Sequence, residues 1–298
     1  MAGPKTEMRH ARAAGFDLLD AAEALTILAH AQVEAAQAVQ AAVPQLAEGA
    51  ELMAQTISQG GQLVYAAAGS SGLMALADAL ELPGTYGIPR ERVKVLLAGG
   101  MDALTAMEGG PEDDEDAARE AVAHAGVGRG DCLIALTASG STPYPIAAVD
   151  AARRAGAKTI GIANNAGAKL FAGVDVAICL ATPPEVIAGS TRMGAGTAQK
   201  IALNMLSTMM AVHLGHVHDG YMVNVVADNI KLVGRAKGMI SALSGADETR
   251  AVEALEAAGG TVKLAVLVAA GAGSVEAAKG LLQQSGGKLR PALSALGL

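Results

Sequence analysis

The chain has 298 residues, 51% of them hydrophobic but only 2% aromatic, so a core must come from Ala, Val, Leu, Ile and Met. That length allows one sizeable core, or a core plus a small appendage. The 37 glycines follow no every-third pattern, which excludes a collagen-like chain, and a net charge of −7 without basic blocks or interleaved aromatics argues against a nucleic-acid partner. Small anions are not excluded by that charge, because backbone N–H groups at a helix start can hold a phosphate.

The opening stretch MAGPKTEMRHARAAGFD lacks the continuous apolar run of a signal peptide, and no later run reaches the roughly 18 apolar residues of a membrane span. A cytoplasmic protein with no membrane partner is expected. Residues 22–58 carry good helix formers with apolar residues at helical spacing and predict two long helices broken near Pro44. QLVYAAAGSSG then predicts a strand and a loop. The helix LMALADALEL follows, ended by Pro83 and Gly84.

The pattern repeats. RVKVLLAGG followed by a helix containing DALTAME makes a second unit, and DCLIALTASGSTPYP followed by IAAVDAARRAG makes a third. KTIGIANNAG and VDVAICLATPP supply two more strands. Cys132 and Cys179 lie in these apolar runs and read as buried thiols, not as a disulfide or thiolate metal site. Helices follow in GTAQKIALNMLSTMMAVHLG and VNVVADNIKLVGRAKGMISAL, and the tail reads as short helices punctuated by glycine. Unbroken apolar strands alternating with helices predict an α/β, three-layer sandwich with a central parallel sheet. The expected division is an N-terminal helical segment (1–57), an α/β domain (58–237) and a small helical subdomain (238–298).

Ligands of open parallel sheets bind beyond the carboxyl ends of the strands. Two loops there are rich in Ser, Thr and Gly: Gly69-Ser70-Ser71-Gly72, and ASGSTPYP with Ser139, Ser141 and Thr142. Their hydroxyls, with N–H groups of the helices they open, suit an anion; ordinary turns are the alternative. A full GxGxxG with its ribose-binding carboxylate is absent, and so is GxxxxGK[ST]. Glu81 stands before the Pro83–Gly84 junction, as a helix-terminal carboxylate or a cleft residue. The cluster from Glu108 to Asp116 reads as a solvated helix start, or as the source of one carboxylate entering the cleft. His213, His216 and His218 have no partner at metal-ligand spacing and read as a hydrated helix end. The run from Gly189 to Lys200 serves a ligand, an interface or a helix cap.

These motifs carry a resemblance. AAGSSGLMALADALELPGTYG, ASGSTPYPIA, GSTRMGAGTAQKIALNMLST and VNVVADNIKL are similar to those of the N-acetylmuramic acid 6-phosphate etherases, within the sugar isomerase (SIS) superfamily. The similarity runs from about Thr6 to Leu293. It implies cleavage of the lactyl ether of a phosphorylated amino sugar in cell-wall recycling, by a homodimer with no redox cofactor and no metal. It implies Glu81 and Glu112 as the acid/base pair, and Ser70, Ser71, Ser139, Ser141 and Thr142 as phosphate ligands. Leu73, Ser141 and Gly194 stand where the family carries cations, and His10 and Ala13 replace an Asn and a Ser. A related phosphosugar lyase, isomerase or epimerase, or a phosphosugar-sensing protein, is the alternative reading.

Overall fold

A computed structural model describes residues 5–106, 108–225, 227 and 230–298. Five parallel strands form its main sheet: β1 (Leu63–Ala67), β2 (Val93–Leu97), β3 (Cys132–Thr137), β4 (Lys158–Ala163) and β5 (Val176–Cys179). Their order is β2-β1-β3-β4-β5, with Leu63 in register with both Val93 and Cys132. The chain runs outward from β1 to β2, then returns to β3 on the opposite side of β1. The loops leaving β1 and β3 therefore diverge and leave a crevice at the sheet's carboxyl edge.

The strands read as unbroken apolar runs because both faces are covered. On one face Val64, Ala66, Leu133 and Ala135 pack against α4 (Glu115–His124) and α5 (Pro143–Arg154), through small residues such as Ala118, Ala148 and Ala152. On the other lie α2 (Val43–Ser58) and α6 (Gly194–His213). A Cβ on Gly49 would meet Leu206 Cδ2 at 2.9 Å and the Cδ1 atoms of Ile160 and Ile178 at 3.5 Å. Glycine lets α2 lie directly on the sheet. Alanine-rich helices approach closely, and each large aliphatic strand side chain buried between the layers contributes about 1.5–3 kcal/mol.

The predicted helix pair over 22–58 is α1 (Ala21–Ala38) and α2, separated by a 3-10 turn at Val39–Ala42 just before Pro44. Asp20 caps α1 by accepting from the N–H groups of Ala22 and Glu23. By contacts the chain divides into two units, one of Met1–Leu80 with Arg90–Met209 and the other of Glu81–Pro89 with Met210–Leu298. The division at 57/58 and 237/238 follows sequence texture instead, and stands as a proposal.

The second unit has its own core, in which Val223, Met239, Ile240, Val262, Val266 and Leu289 are buried. It contains α7 (Ile230–Ser244), within the helix expected from VNVVADNIKLVGRAKGMISAL, and α8 (Glu248–Ala257), α9 (Val262–Ala269), α10 (Val275–Gln284) and α11 (Leu289–Ser294), the short helices expected of the tail. Part of VNVVADNIKL falls on residues outside those described. Asp247 and Ser274 cap α8 and α10. A two-stranded hairpin, β6 (Val217–His218) and β7 (Tyr221–Met222), turns through Asp219 and Gly220 at φ 45° and 79°.

Four expectations need correction. The helix carrying Glu81, α3 (Gly69–Tyr86), continues through Pro83 and Gly84. It ends where Gly87 takes φ +65°, Gly87 N–H bonds Pro83 O and Ile88 N–H bonds Leu82 O, with Leu82 and Ile88 both buried. The DALTAME segment, whose Met107 lies outside the described residues, forms only a 3-10 turn at Gly100–Leu104, because left-handed Gly99 and Gly100 precede it and the Gly109–Pro111 turn follows. Cys179 is half-buried, while Cys132 is fully enclosed. His213 ends α6 in solvent as expected, but His216 is half-buried and burial holds its pKa down at about 4.

Candidate functional site

The crevice between the loops after β1 and β3 holds a cavity of about 230 Å³ within the first unit. Gly69 enters α3 at φ +52°, in the left-handed region that favours glycine, and Ser70 and Ser71 follow in the first turn. Across the cavity, Gly140 takes φ +79° and a Cβ there would lie 2.2 Å from Ala168 Cβ, so only glycine allows the loop after β3 to pack as it does. Thr137 Oγ1 lies 2.7 Å from Thr142 Oγ1 and 3.3 Å from Ser139 Oγ. The result is a connected set of hydroxyls at the start of α5.

Of the residues selected from sequence, Ser70, Ser71, Ser139, Thr142 and Glu112 share this cavity. Ser141 does not line it; its N–H and hydroxyl both bond Ser139 Oγ at 3.2 Å. Thr191, from the run Gly189–Lys200, also lines the cavity, as do Glu7 and Thr137, which no sequence motif marks. Thr137 ends a strand that otherwise reads as core. The only local sign for Glu7 was its place in the stretch TEMRHARA.

Glu112 arises from the 3-10 turn Gly110–Asp113, which the Gly-Gly-Pro sequence bends, and its N–H bonds Gly109 O at 3.1 Å. Its Oε1 lies so close to the loop after β1 that a Cβ on Gly69 would meet it at 2.6 Å. The carboxyl is half-buried, and its pKa is raised, chiefly by desolvation and also by the neighbouring charge of Asp113. Three other acids of that cluster have structural partners. Asp114 caps α4 through the Ala117 N–H at 2.8 Å, and Glu115 and Asp116 pair with Arg119.

Glu81 belongs to the second unit, where its carboxylate is exposed and accepts from Thr85 Oγ1 at 3.2 Å. The glycine-rich entry to α6 is a capped helix start. Glu185, only 4% exposed, accepts from Gly194 N–H at 2.9 Å through Oε2 and from Ala195 N–H at 2.8 Å through Oε1. An internal carboxylate thus fills the positive end of that helix. A second buried carboxylate, Asp78, accepts from Tyr65, Asn204 and Ser207 and ties α3 to β1 and α6; burial raises its pKa against the effect of those bonds. Among the described residues no three His, Cys, Asp or Glu side chains converge as a metal site, and no helix is long and apolar enough to cross a membrane.

A five-stranded parallel sheet with hydroxyl-bearing loops at its switch point defines a sugar-isomerase-type domain, and residues 27–164 match the SIS domain family. The fold is similar to that of a phosphoheptose isomerase from Francisella tularensis (TM-score 0.52, 19% identity, covering 65% of this chain and all of that one). Over its full length the similarity is narrower. An N-acetylmuramic acid 6-phosphate etherase from Deinococcus radiodurans is 44% identical over 97% of this chain and 95% of its own. One from Symbiobacterium thermophilum is 42% identical over 88% and 87%. The chain belongs to the N-acetylmuramic acid 6-phosphate etherase family.

Proposed function

We propose that the protein cleaves the D-lactyl ether of N-acetylmuramic acid 6-phosphate, giving N-acetylglucosamine 6-phosphate and D-lactate by elimination and then hydration. The observation that carries this reading is the half-buried Glu112, its pKa raised, in a hydroxyl-lined cavity at the switch point of a chain from this family. Ser70, Ser71, Ser139 and Thr142, with N–H groups at the starts of α3 and α5, present donors to the phosphate. Ser141 holds Ser139 in place from behind.

In the open-chain sugar the C1 aldehyde acidifies the C2 proton. Glu112 removes it, the C3–O bond to the lactyl group breaks, and Glu81 protonates the departing oxygen. An unsaturated aldehyde with a C2–C3 double bond and free D-lactate result. Glu81 then takes a proton from water, whose oxygen adds to C3, while Glu112 returns its proton to C2. Each carboxyl must both give and take a proton, and the raised pKa of Glu112 suits that task. The role of Glu81 rests on its place in the motif ALELPGTYG. The same reading implies a cytoplasmic homodimer in the recycling of cell-wall amino sugars, needing neither metal nor redox cofactor.

The test is D-lactate release from N-acetylmuramic acid 6-phosphate by wild-type protein, Glu81→Gln and Glu112→Gln. Wild type should turn over, and each variant should fall by roughly 10²–10⁴-fold, the usual weight of a general acid or base. Folded wild-type protein that releases no lactate would overturn the assignment and direct the search to phosphosugars without a lactyl arm.

A further inference from the structure

The cavity that holds Ser70, Ser71 and Thr142 is lined by two carboxylates, Glu7 and Glu112, and by no Lys, Arg or His among the described residues. The proposed substrate carries a phosphate and a separate carboxylate. A tetrahedral phosphate matches the many hydroxyl and N–H donors there. A second anion in the same small cavity would be repelled by the bound phosphate.

Ser139 also lines a larger neighbouring cleft of about 720 Å³, whose walls include Lys5, Ser141, Asn165 and Lys169. Both lysines are exposed, and neither forms an ion pair among the described residues. Their backbones are held in place. Lys5 N–H donates to Asn165 Oδ1 at 2.7 Å, and Asn165 Nδ2 donates to Thr6 Oγ1 at 3.2 Å and to the carbonyls of Ala138 and Ser139 at 3.0 and 3.1 Å. Asn165 therefore pins the N-terminal segment to the loop after β3, with Thr6 buried beneath it. Lys5 contributes to the cleft and Glu7 to the cavity. Lys169 opens a 3-10 turn whose Leu170 N–H bonds Gly140 O at 3.0 Å, which ties it to the same loop.

We propose that this cleft is a carboxylate subsite, in which Lys5 and Lys169 hold the carboxylate of the lactyl arm while the phosphate occupies the hydroxyl-lined cavity. The inference rests on the etherase reading. Carboxylate and phosphate enter adjoining pockets that share Ser139, which orients the sugar between them.

The test compares Lys5→Gln, Lys169→Gln, the double variant and the double Lys→Arg variant, each checked by thermal melting. D-Lactate release is measured with N-acetylmuramic acid 6-phosphate, and calorimetry measures the affinity for N-acetylglucosamine 6-phosphate, which lacks the carboxylate. A cation that binds the carboxylate equally in ground and transition states changes KM more than kcat. KM should rise about three- to tenfold for each Gln substitution, the range of exposed charge-assisted contacts, with kcat held within about twofold. Affinity for N-acetylglucosamine 6-phosphate should stay within about twofold, and the Arg variant should keep the wild-type KM, since it preserves the charge. An unchanged KM in the double Gln variant would overturn the subsite. A parallel loss of affinity for N-acetylglucosamine 6-phosphate would also overturn it, by assigning the cleft to phosphate. A wild-type protein that releases no lactate would instead refute the etherase reading, and the inference would fall with it.

Discussion

Gly69→Ala separates the cost of folding from the cost of misplacing a catalytic group. Gly69 sits at φ +52°, and a Cβ there would stand 2.6 Å from Glu112 Oε1. The backbone penalty for an alanine in that region is about 1–2 kcal/mol. At about 2–4 °C per kcal/mol for a domain of this size, melting should fall by only a few degrees. The contact cannot persist at 2.6 Å, because non-bonded carbon and oxygen atoms need more than 3 Å. The side chain of Glu112 is the flexible member and moves, shifting its carboxylate by about half an ångström or more. A displacement near 1 Å at a reacting group can cost about 10²-fold, so kcat/KM for lactate release should drop by roughly 10- to 100-fold. The assay is steady-state D-lactate release beside a melting curve. A variant within about twofold of wild type in kcat/KM would refute the argument that Glu112 is held against Gly69 for catalysis. Equal loss of activity and of folded protein would show that the glycine serves the backbone alone.

Asp113→Asn removes the neighbouring charge that helps raise the pKa of Glu112. Glu112 then ionises at lower pH, so the acid limb of a kcat/KM–pH profile should move to lower pH; an unmoved limb would show that it reports another group. Glu185→Ala strips two bonds from the buried start of α6 and leaves the N–H groups of Gly194 and Ala195 unpaired. The expected loss is about 2–4 kcal/mol, or about 4–16 °C in Tm, with Glu185→Gln recovering part of it, as checked by thermal denaturation.

Legibility in the sequence followed locality. The five apolar runs became the five strands, since a strand buried on both faces needs only its own residues to be apolar. The Ser/Gly loops were found for a similar reason, because a strand-to-helix turn that frees N–H groups for a ligand calls for small residues where it bends. Proline and glycine misled at Glu81. The end of α3 is set by the left-handed Gly87 and the burial of Leu82 with Ile88, which a breaker count does not weigh. The contact boundary inside α6, after Met209, was equally invisible, because an unbroken helical pattern carries no mark of which core each turn joins.

By itself the sequence determined the parallel α/β architecture, the hydroxyl-rich loops at strand ends and, through its motifs, the family. Only the tertiary structure decided which side chains share a space. It put Glu7 and Glu112 into one cavity and Lys5 and Lys169 into the next, turned Glu185 inward as a helix cap, and set Ser141 behind Ser139. The physical reason is the range of the forces that decide each level. Strand and helix follow from neighbouring residues and a local hydrophobic period, while a cleft forms wherever packing brings distant segments together. No local pattern records that Asn165 pins residue 5 beside residue 169.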